Sequence, residues 1–299
     1  MPTSNPIFGR MIPAMVTPFD ENGDVDIAQA VALGRRLVER GSDALLVFGT
    51  TGESPTVNAH TKLAVFEAIV KDQAGAVPVI ANVGTNNTQA SIEFAQQAAE
   101  TGVDCLMAVV PYYNKPPQEG LYQHFKAIAE AVDLPLIMYN IPGRCGINMT
   151  AETTLRLARD VENIVAVKEA SGNMEQNAEI CANAPDDFAV YSGDDSLTLD
   201  LMKCGGTGVI STAGNCADAD MKAIVDNAEK GDWEAAQAAH DKLLPLMKGL
   251  FVTANPILVK QALNLQGFNV GGLRLPLVSA TPEQTEELVA VMRECGVLD

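Results

Sequence analysis

Short apolar runs alternate, over roughly the first two thirds of the chain, with longer stretches in which apolar residues recur every three or four positions. Read as strands, the short runs are 12–17, 44–48, 77–81, 105–110, 136–139, 164–168, 188–192 and 208–211. Most are almost continuously apolar, as parallel strands are when both faces are covered; a strand with one wet face would alternate instead. Between them, 27–40 carries Val31, Leu33, Leu37 and Val38 on a helical stripe, and 89–101 is a second helical stretch rich in Ala and Gln. Eight such strand–helix units predict an α/β chain of the (β/α)8 TIM-barrel class.

A weak internal repeat fits this rhythm. Gly41-Ser42-Asp43-Ala44-Leu45 returns as Gly102-Val103-Asp104-Cys105-Leu106 and, loosely, as Gly206-Thr207-Gly208-Val209-Ile210. Each copy sits where a helix ends before a strand, a place where Gly supplies a left-handed cap. Shared loop chemistry could produce the same likeness without a true repeat. After the eighth strand the pattern is helical only, with stretches at 229–250, 256–265 and 281–296. The last opens on Thr281-Pro282-Glu283-Gln284, a cap followed by Pro and an acid in the first turn. The organisation expected is a barrel over 1–217 and a C-terminal helical extension over 218–299, with no flexible linker.

Composition narrows the function. Of 299 residues, 47% are hydrophobic and 19% charged, a globular balance, and no apolar run approaches the ~20 residues of a membrane span. The first six residues lack the basic start and apolar run of a secretory signal, so a cytoplasmic protein is expected. A formal net charge of −18 is the opposite of a nucleic-acid footprint. It also means that an anionic substrate must be held by local donors against the overall field. The six cysteines are scattered, with no C-x-x-C pair, and read as reduced thiols. His60, His124 and His240 have no metal-ligand spacing, so no metal and no other cofactor is expected.

In such a barrel the chemistry sits where the strands end. Strand six ends Val167-Lys168-Glu169-Ala170. Alternation puts Ala166, Lys168 and Ala170 on one face and Val165, Val167 and Glu169 on the other. A lysine among small neighbours in a dry interior has its pKa lowered, as an imine-forming amine requires; pairing with Glu169 or another acid is the alternative. Strand five ends Tyr139-Asn140-Ile141-Pro142-Gly143-Arg144. Tyr139 is placed to move protons and Arg144 to bind a carboxylate, unless the two are merely packed and solvated. Strand two ends in Gly49-Thr50-Thr51-Gly52-Glu53-Ser54, a tight loop able to offer hydroxyls and amides to a small anion, with Glu53 open to a plainer part as a first-turn acid. Strand four is followed by Tyr112-Tyr113-Asn114, a site, an interface or simply packed aromatics.

These four motifs, together with Gln118-Glu119-Gly120-Leu121-Tyr122, Asn255-Pro256-Ile257 and Leu273-Arg274-Leu275-Pro276, occur in an order and spacing that resembles the dihydrodipicolinate synthase family over the whole chain. That family belongs to the pyruvate-dependent class I aldolase superfamily. The resemblance implies that Lys168 forms an imine with pyruvate and that Tyr139, Thr50 and Tyr113 relay protons, Tyr113 acting in a neighbouring subunit. It implies that Thr51 holds the pyruvate carboxylate, Ile210 lines that pocket and Arg144 binds the carboxylate of aspartate semialdehyde. It further implies a homotetramer built as a dimer of dimers, acting early in lysine and diaminopimelate biosynthesis. A sialate lyase or keto-deoxy-sugar acid aldolase would share Lys168 and Tyr139, but Arg144 and the Thr50-Thr51 pair favour the synthase. A non-catalytic paralogue should have lost the lysine or the tyrosine.

Two departures stand out. Gly143 and Cys145 flank Arg144 where many relatives have Ser and Thr, and Cys145 could add sensitivity to thiol reagents. The segments that resemble a lysine feedback site keep Ser54, Asn86 and Tyr112. They carry Lys62 where sensitive relatives have His and Ala90 where they have Glu, so weak or absent inhibition by lysine is expected.

Overall fold

The structure is a computed structural model and describes residues 7–299. The first six residues, on which the reading of a missing signal rests, lie outside the described residues. Eight strands form one parallel sheet: β1 (Met11–Pro13), β2 (Leu45–Val47), β3 (Val79–Asn82), β4 (Cys105–Val109), β5 (Leu136–Asn140), β6 (Ile164–Glu169), β7 (Ala189–Ser192) and β8 (Gly208–Ser211). The strands pair in sequence order from β2 to β8, and β8 pairs with β1. The remaining seam is closed by a parallel bridge between Ala14 and Leu46 and by the Met15 amide donating to the Leu46 carbonyl at 2.9 Å. The sheet is thus a barrel, and each strand ends within a few residues of its expected end.

Alternation along the strands divides the apolar residues into two clusters. Ile12, Leu46, Ile80, Met107, Ile137, Ala166, Tyr191 and Ile210 fill the barrel, with Phe8 beside them. Val47, Ala81, Leu106, Met138, Val167 and Val209 face outward and pack under the helices. Burial on both faces explains why the strands read as continuous apolar runs.

The helices are α1 (Ile27–Glu39), α2 (Ala59–Gln73), α3 (Thr88–Ala99), α4 (Gln118–Ala129), the short α5 (Pro142–Cys145), α6 (Ala151–Asp160), α7 (Met174–Asn183), α8 (Thr198–Lys203), α9 (Asp218–Glu229), α10 (Trp233–Gly249), α11 (Ile257–Leu265) and α12 (Pro282–Glu294). Asp26, Asn58, Asn87, Thr150 and Asn173 each cap a helix by accepting a backbone N–H, and Thr281 with Gln284 forms a reciprocal capping box. Gly41 and Gly102 adopt the expected left-handed conformation, whereas in the third copy of the repeat Gly205 does so in place of Gly206. The single helix expected over 229–250 is divided. Gly231, at φ 78°, ends α9, and Asp232 caps α10 by accepting from the Ala235 amide.

The expected boundary at 217/218 falls at the first residue of α9. That helix packs on α8 and β1. Its ends are tied to the β1–β2 seam by Asp218 with Arg40 at 2.8 Å, Lys222 with Asp43 at 2.9 Å and Glu229 with Arg10 at 2.9 Å. α9 therefore stands in the eighth place of the helix ring, and α10 to α12 pack beyond it.

The β1–β8 seam has no room for a side chain at Gly208. A Cβ there would lie 2.1 Å from the Arg10 carbonyl oxygen, which already accepts the Val209 amide at 2.8 Å. Gly208→Ala should therefore lose about 3 kcal/mol or more, because a backbone strand must move. Gly143→Ala, which meets nothing within 4 Å, should stay within about 0.5 kcal/mol of the parent. Thermal and urea unfolding of the two variants checks the contrast.

Candidate active site

Register between β5 and β6 sets Tyr139 beside Lys168. The Lys168 ammonium nitrogen lies 4.5 Å from the centre of the Tyr139 ring. Ala166 is in the barrel interior and Val167 outside, so alternation carries the Lys168 side chain inward, where only 6% of it is exposed. Gly193, beyond β7, leaves space for it: a Cβ there would approach Lys168 Cε to 3.1 Å and Ala170 Cβ to 2.6 Å. Burial pulls the Lys168 pKa down to about 8, opposed by Asp195 and assisted by Arg144. At pH 7 about a tenth of the amine is then neutral, against roughly one part in three thousand at the ordinary lysine value.

Lys168 is not paired with its chain neighbour. Glu169 faces the other way and is buried among neutral donors: the Asn140 amide at 3.0 and 3.1 Å, the Gln176 amide at 2.9 Å and the Ser171 N–H at 2.7 Å. The acid that does act on Lys168 is Asp195, in the turn after β7. Asp195 Oδ2 accepts from the Thr212 and Ala213 amides at 3.1 and 2.8 Å. Burial raises its pKa to about 6, while the Ser211 hydroxyl, the Ala213 amide and Lys168 pull it down. Asp195 was missed in the sequence, although Gly193-Asp194-Asp195 directly after a strand was a usable signal. Tyr139 is also dry. Burial pushes its phenol to about 12 against a hydrogen bond with Thr50 and the nearby Arg144 charge, so it is a neutral hydroxyl at pH 7.

The loop after β2 is held from the far end of the chain. Phe48 and Glu53 have positive φ, 55° and 51°, and Gly52 passes so close to the backbone that a Cβ would lie 2.9 Å from Phe48 Cα. Thr51 is buried, and its hydroxyl accepts from the Asn255 side chain at 2.9 Å. Glu53 is no exposed first-turn acid. It forms a buried ion pair with Lys260 of α11 at 3.1 Å and accepts the Arg274 amide at 3.0 Å. Lys260 also donates to the Thr17 carbonyl at 2.9 Å. The roles of Asn255 and Lys260 could not be read from spacing, since each depends on a contact across about two hundred residues.

Thr50, Tyr139, Ile141 and Arg144 line a cavity of about 420 Å³ at the barrel mouth. Arg144, on the short α5, is exposed and donates to the Asn255 carbonyl at 3.4 Å. Ile210 lies in the interior cluster with Tyr139. Lys168, Tyr139, Thr50, Thr51, Arg144 and Ile210 thus gather at one end of the barrel. Tyr112 lines the same cavity, whereas Tyr113 is 88% exposed, with φ 76°. Cys145 is buried and donates to the Val110 carbonyl at 3.2 Å; burial lifts its thiol to about 11, which works against the thiolate that reaction with thiol reagents needs. Among the described residues, no group of three or more His, Cys, Asp or Glu is placed to hold a metal ion. No helix among them is long and apolar enough to cross a membrane.

The barrel and its dry amine together define the class: this is a lyase of the class I aldolase type. Comparison with known proteins narrows that class to one family. Residues 7–295 match the Dihydrodipicolinate synthetase family, and the chain belongs to it. A relative from Halalkalibacterium halodurans, 4-hydroxy-tetrahydrodipicolinate synthase 1, is 55% identical over 94% of this chain and 95% of its own. The 4-hydroxy-tetrahydrodipicolinate synthase of Bacillus subtilis is 50% identical over 96% of this chain and 99% of its own. A crystal structure of the Cyanidioschyzon merolae enzyme with lysine bound superposes with a TM-score of 0.96 at 46% identity, covering 98% of this chain and all of that one.

Keeping Lys168 dry has a cost that can be measured. Its pKa is lower in the folded chain than in the unfolded chain, so between about pH 8 and 10.5 the unfolded chain holds more protons and stability rises with pH. Below pH 8 the full penalty is present. Lys168→Met should therefore be the more stable protein at pH 7, by on the order of 3 kcal/mol, and the gap should close as the pH approaches 10.5. Denaturant unfolding of both proteins across pH 6.5 to 10.5 measures it; a gap independent of pH would remove desolvation as its cause.

Proposed function

We propose that this chain condenses pyruvate with L-aspartate 4-semialdehyde through an imine on Lys168, the 4-hydroxy-tetrahydrodipicolinate synthase reaction, an early step of lysine and diaminopimelate biosynthesis. The observation that carries the proposal is the dry amine beside Tyr139. The names of the relatives support the reaction, and the geometry supports the assignment of roles. Neutral Lys168 adds to the pyruvate ketone, and the carbinolamine loses water with a proton from Tyr139. The cationic imine draws electrons from the methyl group, which gives up a proton and becomes an enamine. Attack on the aldehyde carbon forms the new bond, and the aldehyde oxygen takes a proton. The amine of the second substrate then closes the ring and displaces Lys168. One water leaves overall and no electrons are gained or lost, so the scheme needs no cofactor.

In this scheme Thr51 and the amides of its loop hold the pyruvate carboxylate, Ile210 lines that pocket and Arg144 receives the carboxylate of the second substrate. Tyr139 at about 12 is too weak an acid to work as a free anion near neutrality, and its hydrogen bond to Thr50 supports a relay in which each hydroxyl gives and takes a proton. Tyr113 faces out of its own subunit, which supports its use in a neighbour's site and a cytoplasmic homotetramer arranged as a dimer of dimers.

Borohydride added with pyruvate should label Lys168, detected by peptide mass spectrometry, and Lys168→Ala should take no label. Arg144→Ala should keep the label and lose turnover with aspartate semialdehyde by about 10²-fold or more, since only the second carboxylate loses its partner. A label on another lysine would overturn the proposed chemistry, and loss of labelling in Arg144→Ala would reassign that residue to pyruvate.

If Tyr113 serves a neighbour, sedimentation at assay concentration should show an oligomer, and Tyr113→Phe should lose rate without loss of assembly. A fully active monomer excludes the shared site.

L-lysine should inhibit weakly or not at all. Lys62 is half-buried and has no carboxylate partner among the described residues, and Ala90 supplies no counter-charge to a cationic ligand. An activity titration at saturating pyruvate decides this, with strong inhibition at sub-millimolar lysine as the contrary result.

A further inference from the structure

Four carboxylates among the described residues are buried: Glu53, Glu169, Asp195 and Asp218. Glu53 is paired with Lys260 at 3.1 Å and Asp218 with Arg40 at 2.8 Å. Glu169 takes hydrogen bonds on both oxygens from the Asn140, Gln176 and Ser171 donors. Asp195, 2% exposed, is in no salt bridge among the described residues. The Thr212 and Ala213 amides hold it, both on Oδ2, with the Ser211 hydroxyl beside them. Two amides do not call for a charge. In the next turn Asn215, a neutral side chain, accepts the Val16 amide at 3.0 Å and does the same work. A buried anion is costly unless a cation or several donors compensate it. The cation within reach is Lys168. It pairs in register with Tyr191 on β7, and the turn after β7 runs beside it: a Cβ on Gly193 would meet Lys168 Cε at 3.1 Å, and Asp195 is two residues further on. Each of the two groups favours the charged form of the other.

We propose that Asp195 is a positioning residue of the reaction, a fixed counter-charge for the cation on Lys168 in both its forms, the resting ammonium and the cationic imine. The second form rests on the imine chemistry proposed above. When the amine adds to the ketone and water leaves, the positive charge stays on the same nitrogen, so one carboxylate serves both stages. A cationic imine is a strong electron sink and a neutral imine a weak one, and a nearby anion disfavours loss of the imine proton. The carboxylate is aimed by the turn after β8, since the two amides on Oδ2 belong to that turn. The Thr212 hydroxyl of the same turn lies 3.5 Å from that of Thr51, in the loop to which the pyruvate carboxylate is assigned. Asp195 touches no substrate and acts through Lys168.

Asp195→Asn keeps an oxygen for the two amides and removes the charge. In the full-length, substrate-free protein at pH 7, Lys168→Met should raise the thermal midpoint more in the Asp195→Asn background than in the parent, because the ammonium removed there has no counter-charge. The second measurement is the rate at which cyanoborohydride traps pyruvate on Lys168 between about pH 6 and 9. Trapping needs a neutral amine to start and a cationic imine to finish, so the whole profile should move about one pH unit toward acid in Asp195→Asn. Turnover at pH 8 should fall about tenfold with it. Tyr139 and Arg144 face Lys168, Asp194 and Cys216 face Asp195, and His240 of α10 meets the same turn by donating to the Ser196 carbonyl at 3.0 Å. All of these are common to both proteins, so a shift between them reports Asp195. Equal midpoint rises, or a loss of turnover with an unmoved profile, overturns the proposal and reduces Asp195 to a tie between two turns. A parent protein that takes no label overturns the imine chemistry instead, and the midpoints still decide the pairing with the resting ammonium. Asp195→Ser, which also removes the charge, serves if Asp195→Asn does not fold.

Discussion

Everything at the mouth of this barrel depends on holding one ammonium group out of water. An ion of that kind is strongly hydrated, and a dry interior favours its neutral form. Among the described residues, burial pulls three lysines down to about 8, with Lys168 and Lys260 buried and Lys62 partly so, and the differences in their company separate their functions. Lys260 has Glu53 at 3.1 Å and a carbonyl, and acts as a tie. Lys62 has a hydroxyl and two rings. Lys168 has Asp195 in its electrostatic surroundings and the Tyr139 ring beside it, with Gly193 leaving open space at its Cε. Of the three, Lys168 is the one that stands beside Tyr139, whose side chain lines the cavity at the barrel mouth.

The same need for dryness explains why the chain continues beyond the barrel. The loop after β2 carries two residues at positive φ and a backbone approach that only Gly allows, so its conformation is not stable by itself. It is fixed by the extension. Lys260 and the Arg274 amide occupy both oxygens of Glu53, and Asn255 orients the Thr51 hydroxyl. Removing one partner of a buried ion pair leaves the other unpaired in low dielectric, so the pair holds the loop against small changes around it. The helices after α9 thereby determine the shape of a site composed mainly of barrel residues.

How much of this was legible follows from the range of each interaction. The strands and the inward face of Lys168 are local facts of alternation, and they were readable to within a few residues. The break between α9 and α10 was also written locally, in Lys230-Gly231-Asp232, but the amphipathic stripe on either side concealed it. Asp195 stood in view at a strand end, yet its importance depends on the Thr212 and Ala213 amides and on Lys168, none of them near it in the chain. The choice between Glu169 as partner of Lys168 and Glu169 as structural acid turned on side-chain direction, which period-two alternation had already decided. The motifs that carried the family resemblance contained Asn255 and Arg274, but not the contacts these make with Thr51 and Glu53.

Tyr113 shows where one chain's physics stops. Its backbone lies at φ 76° and that of Lys115 at 45°, conformations that cost energy for residues other than Gly. The neighbouring Tyr112, though also exposed, lines the cavity, and Tyr113 does not. Alone, such a turn would expose a large ring for no gain, since an aromatic side chain left in water forfeits the area it could bury. The strain is repaid if the ring is received by another copy of the chain, where its burial and its hydroxyl both find use. In the proposed assembly, the loop between β4 and α4 would be shaped by the neighbouring copy as much as by the fold of its own barrel.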